Sequence, residues 1–195
     1  MQTFLAYASF VIIIGVTIPY MIDIVKGKAR PARAARVMFF ILLILTLLQQ
    51  HSLGSGYAMA VTIGELVSST MLLILAIPFG VGGLTRANKI CYLLLGIDVL
   101  VWLLTKNALL AIHLSILADM ISFWPTIEKT WRLPRSETPL FFWGGAVAPI
   151  FSILAQADWS YAVIIFPLYL TVANLLEVFL IYTRRYELEN PTLKH

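Results

Sequence analysis

Seven stretches of the chain are almost continuously apolar: 3–22, 37–50, 57–81, 90–105, 108–124, 140–157 and 159–182. Polar and charged residues collect between them. A helix of about 20 residues crosses the hydrocarbon core of a bilayer at about 1.5 Å per residue, and the second and fourth stretches fall short of that. Continuous apolar runs, rather than alternation with period two, predict helices instead of barrel strands. His51-Ser52-Leu53-Gly54-Ser55-Gly56 and Gly80-Val81-Gly82-Gly83 read as turns. Thr138-Pro139 reads as a helix start, a capping hydroxyl followed by proline at the first helical position. The pattern predicts an all-α chain of seven transmembrane helices.

Composition agrees with this reading. Apolar residues make up 60% and charged residues 12% of the 195, against roughly half and a quarter in a soluble domain. Mean hydropathy is +0.88. The first apolar stretch follows Met1-Gln2-Thr3 without a basic segment, so the expectation is a retained helix rather than a cleaved leader. Cys91 is the sole cysteine, which leaves no internal disulfide and no paired-cysteine metal or redox motif.

Charge placement predicts an orientation. With seven spans, one side collects Lys26, Lys28, Arg30, Arg33, Arg36, Arg86, Lys89, Lys129, Arg132, Arg135, Arg184, Arg185 and Lys194, and the other holds Lys106 alone. The positive-inside bias then puts the N-terminus outside and the C-terminus in the cytoplasm, with the cell membrane as the expected location. The net charge of +4 is accounted for by these loops, and no basic face with interleaved aromatics points to nucleic acid.

A shift of 106 residues lays Pro19-Tyr-Met-Ile-Asp-Ile-Val-Lys26 on Pro125-Thr-Ile-Glu-Lys-Thr-Trp-Arg132. Proline, an apolar residue two on, another six on and a base seven on recur in both. Each segment leads into a basic loop, a helix, a short outer turn and a third helix. Two three-helix units can share an orientation only if an odd helix separates them, so the expected layout is a 3+1+3 parallel repeat. Its parts are a first triple-helix bundle at 1–81, a linker helix with its loops at 82–107, and a second bundle with a cytoplasmic tail at 108–195.

With this layout, the two proline segments, and Ser122-Phe123-Trp124-Pro125-Thr126-Ile127-Glu128-Lys129 followed by Pro134-Arg135-Ser136-Glu137-Thr138, the whole chain resembles the PQ-loop superfamily. That group includes SWEET sugar transporters, cystinosin-type exporters and KDEL receptors, and SWEET folds are built from parallel repeats. The family's Pro-Gln is replaced by Pro19-Tyr20 and Pro125-Thr126. The resemblance implies alternating access by a small polar solute, a sugar or related metabolite, with Pro19 and Pro125 as hinges of an inner gate. Proline marking a helix end is the competing reading of both. A non-transporting receptor or assembly protein is the competing function. A cleft open to one side and lined by Arg or Lys would favour it.

Polar residues inside the spans are the candidate site. Asn174 and Glu177 share a face of the last helix, and Glu65 shares one with Ser68 and Ser69. The 106-residue shift sets Ser68 opposite Asn174. By the resemblance, Asn174 and Ser68 line a substrate pocket, with Glu65 and Glu177 beside them, while hydrogen bonding between helices is the alternative. Asp119, six residues before Pro125, resembles a proton-coupling acid, with Glu65 and Glu177 as rivals. Asp98, on the linker helix, fits a structural partner better. No catalytic motif, metal spacing or cofactor signature accompanies these residues, so neither an enzyme nor a cofactor is expected. The expected partners are the lipid bilayer and a small polar solute, and homo-oligomerisation is left open.

Overall fold

The computed structural model describes residues 1–28, 30–84 and 86–189. Lys194 and His195 lie outside these. Seven α-helices are present among the described residues: α1 (Gln2–Val25), α2 (Arg33–Ser52), α3 (Met59–Phe79), α4 (Arg86–Thr105), α5 (Ala108–Arg132), α6 (Pro139–Leu154) and α7 (Tyr161–Glu189). All but α6 are long and apolar enough to cross a membrane.

The α6 helix corrects the expectation of seven full spans. Its 16 residues begin at Pro139 as expected, though the Thr138 hydroxyl makes no capping hydrogen bond, and stop at Leu154, three residues early. At about 1.5 Å per residue it reaches about 24 Å, against about 30 Å of hydrocarbon. Beyond it the Gln156 amide turns back to the Ser55 carbonyl. Other helices outrun their apolar stretches. The second and fourth start at Arg33 and Arg86 and reach 20 residues each, their long basic side chains being able to carry charge back towards water. The fifth and seventh continue to Arg132 and Glu189. Pro19 therefore lies inside α1, six residues before its end, and position 125 falls inside α5. Neither marks a helix end.

The start of α5 is fixed by Asn107, whose side-chain oxygen accepts from the Leu110 N–H at 3.1 Å. This satisfies one of the free donors of the first turn. Two pairs of helix starts share a spacing, α5 beginning 106 residues after α1 and α6 106 after α2, whereas α7 begins 102 after α3.

Contacts between helices define a ring. The α3 helix packs on α1 and α2, and α7 packs on α5 and α6. The ring closes where α1 meets α6 and where α2 meets α5, and α4 lies against α5 and α2. One core cluster joins α2, α4 and α5 through Leu42, Leu45, Cys91, Leu95 and Ala118. Another joins α1, α3, α5, α6 and α7 through Ile13, Val61, Ile112, Ala148 and Phe166. Phe4, Ile77, Leu93, Leu104 and Phe179 stay well exposed on the outside. Helices that are apolar on their outward as well as their inward faces fit a multi-pass membrane protein in a lipid bilayer.

Candidate functional site

Polar side chains inside the ring fall into saturated groups, whose hydrogen bonds are all made, and unsaturated ones. The most complete saturated group is Gln49, Asp98 and Ser115, each with no exposed surface. Gln49 Nε2 donates to both Asp98 oxygens at 3.1 and 3.0 Å. The Ser115 hydroxyl lies 2.6 Å from Asp98 Oδ2 and 3.0 Å from Gln49 Oε1. These contacts tie α4 to α2 and α5, so Asp98 has the structural partners expected of it.

A second saturated group lies near the end where α1 starts. Ser9 Oγ donates to the Ala148 carbonyl at 2.7 Å and lies 3.0 Å from Ser152 Oγ. Ser152 Oγ accepts the Val61 N–H at 3.0 Å. An orphan donor in the first turn of α3 is thus satisfied from α6, joining α1, α3 and α6. The opposite end is closed by aromatics. Tyr20 meets Phe141 at 5.7 Å between ring centroids, and Phe142 meets Phe141 at 5.5 Å and Phe123 at 6.3 Å.

Between these closures lies the third group. Tyr169 Oη on α7 donates to Asp119 Oδ2 on α5 at 2.6 Å. Ser122 Oγ donates to the Asp119 carbonyl at 2.7 Å. Glu65 on α3 lies within electrostatic range of both Asp119 and Tyr169. It is only partly buried in the middle of its helix and makes no hydrogen bond with the described residues. Buried side chains without a hydrogen-bond partner lie on the same helix, Thr62 and Ser69, and on the adjacent α2, Thr46 and Gln50. Thr62, Glu65 and Ser69 recur at i, i+3 and i+7 and share one face of α3, as Thr46 and Gln50 share one face of α2. An unpaired polar atom in an apolar interior costs about 1–3 kcal/mol. Several on two packed helices mark a region suited to a polar guest.

The expected residues do not all meet. Ser68 accepts a hydrogen bond from Thr17 of α1 at 3.0 Å. Asn174 donates to the Leu170 carbonyl of its own helix at 2.9 Å. Its head group fits against α6 at Gly145, where a Cβ would stand 2.4 Å from Asn174 Oδ1. The two residues that the shift sets opposite each other thus hydrogen-bond elsewhere and not to one another. Glu177 is fully buried and accepts a hydrogen bond from Thr130, while its other carboxylate oxygen is unpartnered. Asp119 and Glu65 lie within electrostatic range of each other without a hydrogen bond between them. Tyr169, Gln49 and Gln50 were not singled out from the sequence. A tyrosine midway along an apolar helix and a Gln-Gln pair at the end of an apolar run were the signals available.

No protein-family model, curated protein or solved structure matches the chain.

Proposed function

We propose that this chain is a multi-pass membrane transporter that moves a small polar solute, a sugar or related metabolite, by alternating access. The observation that carries the reading is the unsaturated polar group inside the ring. Asp119 and Tyr169 of one half are hydrogen-bonded to each other and lie within electrostatic range of Glu65 of the other, and Thr46, Gln50, Thr62 and Ser69 on the packed helices α2 and α3 have no hydrogen-bond partner. Intramembrane carboxylates are costly and mark solute or proton paths by default. Asp119 is the proton-coupling group in this reading, and the solute binds beside Glu65.

The repeat belongs to the same proposal. The third helix of each triplet packs on the first two, and the spacing of 106 residues between helix starts supports two like units joined by α4. The short α6 then serves as the seventh span by analogy with α2, and the two units rock at the α1–α6 and α2–α5 contacts. Pro19 and position 125, inside α1 and α5, would be the bending points. In this reading the N-terminus lies outside in a cell membrane, which the bases gathered on one side support. Likeness to the PQ-loop superfamily stays part of the proposal and rests on the residues quoted for it.

One observation favours the competing reading of a receptor: a recess of about 320 Å³ that includes Arg30 among its walls. Uptake decides between them. Purified protein in liposomes would be offered labelled sugars and amino acids, with and without an imposed pH gradient. Saturable uptake that is lost in Glu65→Gln, together with gradient dependence lost in Asp119→Asn, is expected. Folded protein that moves none of these solutes would overturn transport in favour of a receptor.

A further inference from the structure

The two halves treat their basic residues differently. At the end where α1 stops, every ion pair among the described residues lies in the second half. Lys129 pairs with Glu137 at 2.8 Å, Arg132 with Glu128 at 2.6 Å, Arg135 with Glu189 at 3.3 Å, and Arg184 with Glu187. Arg184 also stacks over Trp131, its guanidinium 4.3 Å from the ring centroid, and Arg185 donates to the Pro134 and Glu137 carbonyls. At this same end the first half and the linker gather Lys26, Lys28, Arg30, Arg33, Arg36, Arg86 and Lys89, with Asp23 as the one acid beside them. None of these seven bases makes an ion pair with a described residue. The positive-inside bias accounts for bases in both halves but not for the lack of acids in one.

Two recesses open beside this charge. One, of about 330 Å³, runs between α2 and α3 with apolar walls from Val37, Leu73, Ala76 and Ile77 and Arg33 at its end. The other, of about 320 Å³, is bounded by Ile24, Gly27, Arg30, Pro78, Phe79, Gly80 and Val81. Gly80 borders the second, and a Cβ there would stand 2.7 Å from Arg33 Cγ and 2.3 Å from the Ala76 carbonyl oxygen, both of residues that line the first. The glycine lets the second recess lie close against the Arg33 stem. Arg33 Nε donates to Ala76 O at 3.1 Å, which fixes that arm. The loops are held together by Val81 N–H on Pro31 O at 2.9 Å and Arg33 N–H on Val81 O at 3.3 Å. The outer wall is lipid-facing in character, with Ile74 and Ile77 mostly exposed.

An apolar trough that ends in a guanidinium, beside a loop recess holding a second one, matches an amphiphile with an anionic head. We propose that the two recesses form one site for an anionic phospholipid, with its phosphate between Arg30 and Arg33 and an acyl chain along α2 and α3. Bidentate guanidinium–phosphate pairing is the favoured geometry for such a head group. The end of α2, which begins at Arg33 without an acidic residue in its first turn, adds favourable potential. The inference rests on the chain being embedded in a membrane and not on its being a transporter.

The test uses the full chain, purified and delipidated in a neutral detergent, with retained lipid counted by native mass spectrometry. Phosphatidylglycerol, phosphatidylcholine and inorganic phosphate are the probes. One phosphatidylglycerol per chain is expected, retained in preference to phosphatidylcholine and not displaced by millimolar phosphate. Arg30→Gln should weaken it about fivefold, since a base near an anionic membrane surface contributes about that factor. Arg30 makes no hydrogen bond or ion pair with the described residues, so this variant keeps the test sound if Arg33→Gln loosens the α3 end. Arg132→Gln, in the ion-paired half, should leave retention unchanged. Equal loss in Arg30→Gln and Arg132→Gln would mean diffuse surface charge and overturn the site. Equal retention of phosphatidylcholine, or displacement by inorganic phosphate, would overturn the anionic-lipid assignment.

Discussion

Gly144 sits where the two halves of the ring touch, and its substitution gives the most direct test of the packing. A Cβ at residue 144 of α6 would stand 2.5 Å from each Val16 methyl and 2.9 Å from Val16 Cβ on α1. Carbon atoms settle at about 3.5–4.0 Å, so Gly144→Ala requires about 1 Å of separation between α1 and α6. Turning Val16 gives no relief, because both methyls and Cβ itself are too close and a β-branched side chain has few rotamers in a helix. Overpacking of this kind costs about 1–3 kcal/mol. Val16→Ala alone, removing two partly buried methyls, costs about 1 kcal/mol. The double variant loses two of the three clashes and should be more stable than Gly144→Ala alone. Cys91 supplies the assay, being the sole cysteine and buried. A thiol-reactive fluorogenic dye reports its exposure during heating. With about 2–4 °C per kcal/mol at this chain length, Gly144→Ala should lower the midpoint by about 2–12 °C, and Val16→Ala should restore part of that loss. Losses that simply add in the double variant would refute the contact.

Three further outcomes can be read with the same preparations. Asp98→Ala strands Gln49 and Ser115 in an apolar interior and should cost about 2 kcal/mol, whereas Gln156→Ala near the outer loops should lower the dye midpoint less. Ser152→Ala leaves the Val61 N–H unpaired and should cost about 1 kcal/mol; hydrogen exchange in the first turn of α3 should rise, and unchanged exchange there would reject the cap. Tyr169→Phe removes the hydrogen bond to Asp119 and should slow liposome uptake about tenfold with little change in melting. Ser68→Ala, whose hydroxyl is engaged with Thr17, should slow it far less, and the reverse order would return the pocket to Ser68.

The helices were legible because an uninterrupted apolar run leaves little else for the backbone to do in lipid. Their ends were less so. Apolarity stops at residue 124, but α5 continues because the residues beyond it are held by neighbours: Lys129 to Glu137, and the Trp131 carbonyl and ring to Arg184. Such partners lie over 50 residues away for Trp131, beyond the reach of a local pattern. The shortness of α6 was hidden for the opposite reason. Residues 155–157 are apolar enough to extend a helix, but Gln156 is drawn to Ser55. The 106-residue spacing read from the prolines and basic loops matches the starts of α1 and α5 and of α2 and α6, and departs by four residues at α3 and α7.

The site divides along the same line. A sequence marks which polar residues lie at membrane depth, and it did so for Asp119, Glu65, Asp98 and Glu177. It cannot set the rotation of one helix about its axis relative to another, and that rotation decides which of them meet. Ser68 shares α3 with Glu65 but is turned towards Thr17 of α1, and Asn174 fits against Gly145 of α6. Glu65, three residues from Ser68, is left without a hydrogen bond to a described residue and within electrostatic range of Asp119 and Tyr169. The saturated groups have a physical role in this: with Asp98 closed by Gln49 and Ser115, α4 is held to α2 and α5, and with Ser152 closed by Ser9 and Val61, α6 is held to α1 and α3. What they leave unbonded, on α2 and α3 beside Glu65, is polar surface that folding did not satisfy. Its stabilisation by a bound solute would be largest in the state that encloses the solute, and this is the difference in affinity that alternating access requires.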